Sequence, residues 1–331
     1  MPWKGEKDPY KIWLSEIILQ QTRVEQGWNY YHQFVENFPT VIHLAKAPET
    51  KVFKLWEGLG YYSRCKNLIA TAKIIASKHK GKFPEAYEDI ISLKGVGSYT
   101  AAAIASFAFD LPFAVVDGNV FRVLSRFFGI ATAIDSTAGK KMFTQLAAEL
   151  LDKKHPGIYN QALMDFGAVV CKPKLPLCNT CPLKSRCMAY LNDRVNELPV
   201  KEKSISKKER WFYYLIAVFN GKVYVRKREA GDIWENLYEF VLIENKNAIR
   251  EKKLKQLIPF DTIIDINNVE SSAVSRKYRQ LLTHQTIHGQ FIRVNLTQPL
   301  KLKGYEAISF QKFKTLPFPK FITAYLAENQ I

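Results

Sequence analysis

The sequence contains no apolar run approaching the roughly 20 residues needed to cross a membrane as a helix. That excludes a helical membrane protein. Its start, "MPWKGEKDPYK", lacks the basic-then-apolar order of a secretion signal, so a cytoplasmic chain without membrane partners is expected. Cysteine is scarce, with 5 in the chain, and a reducing compartment leaves such residues free to bind metal where they cluster. Acidic side chains are in deficit, 31 against 48 basic ones, for a formal charge of +17. A polyanion, with nucleic acid first, is the expected partner. The chain shows no internal repeat and no low-complexity segment.

At 331 residues, two domains are expected. Up to about residue 191 the apolar residues recur at helical spacing between short breakers such as "NFPT", "KAPET", "GKFPEA" and "DLPFA", which describes an all-helical domain over 1–191. The stretch Asn192 to Arg210, "NDRVNELPVKEKSISKKER", is charged and nearly devoid of apolar residues, and reads as an exposed linker. From 211 to 331 the aromatic and β-branched runs predict strands, with a hairpin turning at Asn220-Gly221 and further strands at "FDTIIDI" and "GQFIRVNL". Helices are expected near Lys252 and at the C-terminus, giving an α+β domain.

Three features carry chemistry. Cys171, Cys178, Cys181 and Cys187 stand at C-x6-C-x2-C-x5-C in one proline-containing loop, close enough in sequence to surround a single metal centre. An iron-sulfur cluster, zinc and no metal at all remain open, because the spacing shows only one C-x2-C pair and departs from common ferredoxin runs. Cys65 stands apart as a small core residue. The turn Gly95-Val96-Gly97 precedes the helix "SYTAAAIASFAF"; its glycines allow unusual dihedrals and close approach, and the helix start aims free N–H groups at one point, as a DNA phosphate would need. Taken alone the motif is a weak signal and an ordinary helix–helix turn is the commoner reading, whereas a dinucleotide site lacks its third glycine and preceding strand. Finally, Glu16 lies among Trp13, Leu14, Ile17 and Ile18, where burial would raise its pKa toward neutrality; with Gln20 and Arg23 it could equally form a solvated face. Asp117, after "FAVV", is either a helix N-cap or a carboxylate fixed to face positive charge.

In this order, "LSEIILQQT", "GLGYYSR", "LKGVGSYTAA", "VVDGNVFRVLSR", "NQALMDFGAVVC" and the four-cysteine loop resemble the adenine DNA glycosylases of the helix-hairpin-helix superfamily, which also holds endonuclease III. The resemblance is dense to about residue 190 and looser beyond. It implies a multidomain protein, with an all-α helix-hairpin-helix glycosylase domain (hairpin about 88–109, cluster loop 171–187) and an α+β Nudix-like domain that recognises the lesion. It further implies removal of adenine mispaired with 8-oxoguanine or G in double-stranded DNA, by a monomer acting in the cytoplasm at the nucleoid.

On the same resemblance the four cysteines hold one four-iron four-sulfur cluster, Lys172 and Lys174 meet the DNA backbone, and Gly95, Val96 and Gly97 hold a phosphate, often with a monovalent cation. Glu16 protonates the flipped base at N7 and Asp117 stabilises the oxocarbenium-like sugar. Tyr99 and Asn119 position these acids and the sugar. Gln21 and Tyr61 fill or wedge the duplex, with Thr22 and Leu59 nearby, while Trp3, Lys4 and Gln161 line the adenine pocket. Relatives that also cut the strand carry a lysine where this chain has Tyr99, so a monofunctional enzyme is expected, with a bifunctional endonuclease III-like lyase as the alternative. "GDIWENLYEFVLIE" and "LLTHQTIHGQF" resemble the recognition domain, with Thr283 and His284 as its lesion-sensing pair. "NKNAIREKKLKQL" is basic where a Nudix hydrolase needs acids, so this domain is expected to bind without hydrolysing. The chain starts at "PW", without the preceding family helix, and has Lys4 where many members have arginine, which loses the planar fork.

Overall fold

The computed structural model describes residues 4–202 and 206–329. They form two compact units, 4–46 with 66–202, and 47–65 with 206–329. Residues 47–65, which the sequence places in the helical domain, thus group with the second unit; Lys54 Nζ donates to the Leu316 carbonyl at 3.0 Å. Among the described residues, no helix is long and apolar enough to cross a membrane.

The helices run α1 (Pro9–Leu19), α2 (Val24–Asn37), α3 (Val41–Lys46), α4 (Glu49–Leu55), α5 (Tyr62–Lys78), α6 (Tyr87–Ser92), α7 (Ser98–Phe109), α8 (Gly118–Phe128), α9 (Thr137–Leu150), α10 (Pro156–Val169) and α11 (Met188–Leu191). In the first unit α7 is the axis. Every residue from Thr100 to Ser106 is buried, and its alanines leave room for α1, α6 and α10 to pack closely. Gly157 of α10 is required by this approach, since a Cβ there would lie 2.7 Å from the Ser106 carbonyl oxygen. Good local signals set the helix ends. Asp8 caps α1 through Tyr10 N–H ahead of Pro9, and Gly129 closes α8 at φ +69°.

Buried Asn160 of α10 ties down the extended run that leads to α8. Its Oδ1 accepts from Val115 N–H at 3.1 Å, and its Nδ2 donates to Ser106 Oγ at 3.0 Å and to the Phe113 carbonyl at 2.8 Å. The expected linker is not uniformly exposed. Leu198 is 2% exposed, Arg126 Nε donates to its carbonyl at 3.0 Å, and Ile134 N–H donates to the Val200 carbonyl at 3.0 Å. A single leucine and the backbone carbonyls suffice to dock this charged stretch, whose composition hides them.

The second unit is built on an eight-stranded sheet: β1 (Lys208–Phe219), β2 (Lys222–Lys227), β3 (Tyr238–Glu239), β4 (Val241–Asn245), β5 (Val269–Val274), β6 (Tyr278–Leu281), β7 (Gln285–Leu296) and β8 (Glu306–Ser309). The path is β3-β2-β1-β7-β5; β4 pairs with β1, β6 with β7 and β8 with β2. The central pair, β1 and β7, is parallel from Lys208 opposite Gln285 to Val218 opposite Asn295. Asn220 and Gly221, at φ +47° and +69°, make the expected hairpin, which sets Phe219 opposite Lys222. "FDTIIDI" is not a strand. It forms turns between short helical segments at Ile258–Phe260 and Ile266–Asn268, with Phe260 and Ile264 buried in the core, so its apolar residues reflect burial rather than a sheet period. Short helices α12 (Glu251–Lys255), α13 (Phe310–Thr315) and α14 (Lys320–Glu328) complete the unit.

Replacing Asn160 by leucine strands a buried N–H and a buried carbonyl. Loss of about 3 kcal/mol of unfolding free energy is expected, read from the urea midpoint of the purified chain.

Candidate active site

Glu16 sits on the buried face of α1 and is 7% exposed, which removes the solvated-face reading. Burial pushes its pKa up to about 7; a hydrogen bond from Tyr99 opposes the rise and the nearby Asp117 charge adds to it. Tyr99, in the first turn of α7, donates its hydroxyl proton to Glu16 Oε2 at 2.7 Å. Its own pKa is raised well above the usual value by burial and by Glu16, so it remains a donor across the physiological range.

Asp117 is the N-cap of α8, where Oδ1 accepts from Asn119 N–H at 2.8 Å and Val120 N–H at 2.7 Å, and Asn119 Nδ2 donates to Oδ2 at 2.7 Å. The cap and the fixed carboxylate are therefore one arrangement. Burial raises the Asp117 pKa, while these three donors and the Arg122 charge favour its anion. Arg122 in turn holds Asn119 through Oδ1 at 2.8 Å.

A cavity of about 340 Å³ opens on Glu16, lined also by Ile12, Ser15, Phe107, Gly157, Gln161 and Asp165. Its size and mixed lining suit one flat heterocycle. Gln161 Nε2 donates to Asp165 Oδ1 at 3.0 Å, and Lys4 Nζ pairs with Asp165 Oδ2. Of the three residues assigned to the base pocket, Gln161 lines the cavity, Lys4 is held against Asp165, and Trp3 lies outside the described residues.

The Gly95-Val96-Gly97 turn is exposed except for Val96, with Gly95 at φ +76°. A Cβ at Gly95 would lie 2.7 Å from Asn67 Cβ, and Thr71 Oγ1 donates to the Lys94 carbonyl at 2.8 Å, so α5 braces the turn from behind. Gly97 brings no side-chain acceptor to the first turn of α7, which leaves N–H groups facing outward.

Cys171, Cys178, Cys181 and Cys187 line one cavity, walled by Val123, Phe127, Phe166, Val170, Leu177 and Leu183. Among the described residues, no three His, Cys, Asp or Glu side chains gather closely enough to hold a single ion. Arg126 donates to Cys171 Sγ at 3.5 Å and to the Lys172 carbonyl at 2.7 Å, and Arg122 Nε donates to the Cys171 carbonyl at 2.7 Å. Lys172 is partly buried and Lys174 exposed on the loop.

Gln21, at φ +56°, and Thr22 follow α1 in the first unit. In the second unit Leu59 is buried, whereas Tyr61 is 44% exposed at φ +47° and its hydroxyl lies 2.7 Å from Thr283 Oγ1. His284 is exposed, and its carbonyl accepts from Lys208 N–H at 3.0 Å. Sequence reading passed over Asp165, Asn160, Arg122 and Arg126. The arginines at i and i+4 in "FRVLSR", and Gln161 with Asp165 at the same spacing in "NQALMD", were available signals.

Residues 14–152 match the HhH-GPD superfamily of base excision DNA repair proteins. The adenine DNA glycosylase of Buchnera aphidicola subsp. Baizongia pistaciae is 39% identical over 252 residues, covering 75% of this chain and 71% of the relative. That of Buchnera aphidicola subsp. Schizaphis graminum is 34% identical over 299 residues, covering 90% and 83%. A solved thermostable thymine-DNA glycosylase superposes with a TM-score of 0.54 at 30% identity, over 58% of this chain and 88% of that one. With a buried acid facing a cavity, and relatives matched over most of their length, the chain belongs to the adenine DNA glycosylase family of base-excision repair enzymes.

Proposed function

We propose that the chain removes adenine paired with 8-oxoguanine, or with G, from double-stranded DNA by hydrolysis alone, leaving the strand intact. The observation that carries this reading is the Tyr99–Glu16 hydrogen bond: a phenol that keeps its proton supports the acid and offers no amine to the sugar. The adenine is flipped into the cavity, where Glu16 donates a proton to N7 and makes the base a leaving group. Asp117, held by its cap donors, faces the positive charge that develops on the sugar. Glu16, now an anion, then accepts a proton from the attacking water, and Asn119 keeps Asp117 in place.

Further parts of this reading concern binding. The Gly95–Gly97 turn would hold a phosphate, with a monovalent cation, and Lys172 and Lys174 would contact the backbone. The four cysteines line one largely apolar cavity, which supports a four-iron four-sulfur cluster; the cluster would crosslink the loop. Thr283 and His284, in a Nudix-like recognition domain, would sense 8-oxoguanine. Tyr61, beside Thr283, would fill or wedge the duplex, and Gln21 of the first unit is proposed for the same kind of contact. A monomer working at the nucleoid in the cytoplasm completes the proposal.

Glu16→Gln is expected to lower adenine release at least about 1,000-fold while DNA affinity stays within about threefold. Glu16 must carry a proton to act, so single-turnover release should fall about tenfold per pH unit above about 7. The same carboxyl holds its proton in the folded chain but loses it near 4.5 when unfolded, so stability should fall as pH rises from 4.5 to about 7. Glu16→Gln should remove this contribution to the slope and leave that of the other buried carboxyls.

Strand breakage is expected only after alkali or heat, and borohydride should trap almost no enzyme on DNA; abundant trapping would mean a lyase. Elemental analysis should find four iron and four sulfide per chain, with broad visible absorbance. Stoichiometric zinc without iron would replace the cluster.

A further inference from the structure

We infer that Asp165 is a positioning residue that fixes the amide of Gln161, and thereby makes the pocket accept a base with an exocyclic amine and reject one with a carbonyl there. The inference rests on the adenine reading and specifies how that base is chosen. Gln161 and Asp165 stand one turn apart on α10, and Gln161 Nε2 donates to Asp165 Oδ1 at 3.0 Å. A carboxylate can only accept, so the amide cannot turn over without setting oxygen against oxygen. Its orientation follows from chemistry rather than from assignment of the two amide atoms.

The other carboxylate oxygen is held by Lys4 Nζ, so a cation anchors Asp165 from one side while Asp165 orients the amide on the other. Gln161 Oε1 is thereby turned away from Asp165 and accepts no hydrogen bond from the described residues. Both side chains line the cavity that holds Glu16. Adenine carries a donor at its six-position, N6–H2, and hypoxanthine carries an acceptor, O6, in the same place. An amide oxygen fixed toward the base pairs with the first and repels the second, and a site of this kind discriminates strongly because the wrong base leaves polar atoms unpaired. Lys4 therefore acts on the base through Asp165 and Gln161, which also accounts for its serving without the planar fork of arginine.

The test compares release of adenine and of hypoxanthine opposite 8-oxoguanine by the full chain and by Asp165→Asn and Asp165→Glu. Asparagine is isosteric but can donate as well as accept, so it frees the amide to turn; glutamate keeps a pure acceptor. The ratio of kcat/KM for the two bases is taken within each preparation, so the active fraction cancels. A fall in the adenine-to-hypoxanthine ratio of at least about tenfold in Asp165→Asn, with Asp165→Glu within about threefold of the native ratio, is expected. An unchanged ratio in Asp165→Asn, including an equal loss on both bases, overturns the assignment. Failure of the native chain to release adenine from any duplex would instead overturn the adenine reading itself.

Discussion

The catalytic unit depends on one constraint: a carboxyl group is buried beside a phenol that hydrogen-bonds to it. Out of water, Glu16 holds its proton far more tightly than an exposed glutamate, and the Tyr99 hydroxyl limits that effect so that the group sits near neutrality. This requires α1 and α7 to lie close, which the alanines of α7 permit. The turn that ends in Gly97 lies two residues before Tyr99, so the backbone suited to gripping a phosphate and the hydroxyl that steadies the acid share one rigid helix start. Binding geometry and acid geometry are thus set by the same few residues.

The two acids share a region but not an environment. Glu16 is buried and, among the described residues, accepts from the Tyr99 hydroxyl, whereas Asp117 has two backbone N–H groups, an amide and a nearby guanidinium. The first environment favours a proton donor and the second an anion, a difference set by surroundings and not by functional group. Capping a helix demands a carboxylate held still, and the proposed role of Asp117 beside a cationic sugar would demand the same.

Arginine takes over where apolar packing ends. Arg122 and Arg126 emerge one turn apart from α8 and hold carbonyls at Gly167, Cys171, Lys172 and Leu198, joining the active-site helix to the cysteine loop and to the segment after it. In the second unit the same device recurs. Arg228 and Arg226 neutralise the fully buried Glu239, and Arg210 bridges Asp232 and Glu244. Such pairs specify strand position, because leaving any one buried charge alone is costly.

Much was legible before folding. The hairpin at Asn220-Gly221, the helical run from Ser98, the glycine turn and the cysteine spacing all rest on local chemistry that the sequence states directly. The family's motifs added Glu16, Asp117 and Tyr99 as a set. Three things were not legible: "FDTIIDI" as turns, the docking of Leu198, and the Lys4–Asp165–Gln161 chain that orients an amide in the pocket. Local propensity and spacing therefore determined which elements form and which residue types are available. Only the tertiary structure decided that Glu16 is buried, that Tyr99 reaches it and that Lys4 meets Asp165, because burial and hydrogen-bond partners depend on neighbours distant in the chain.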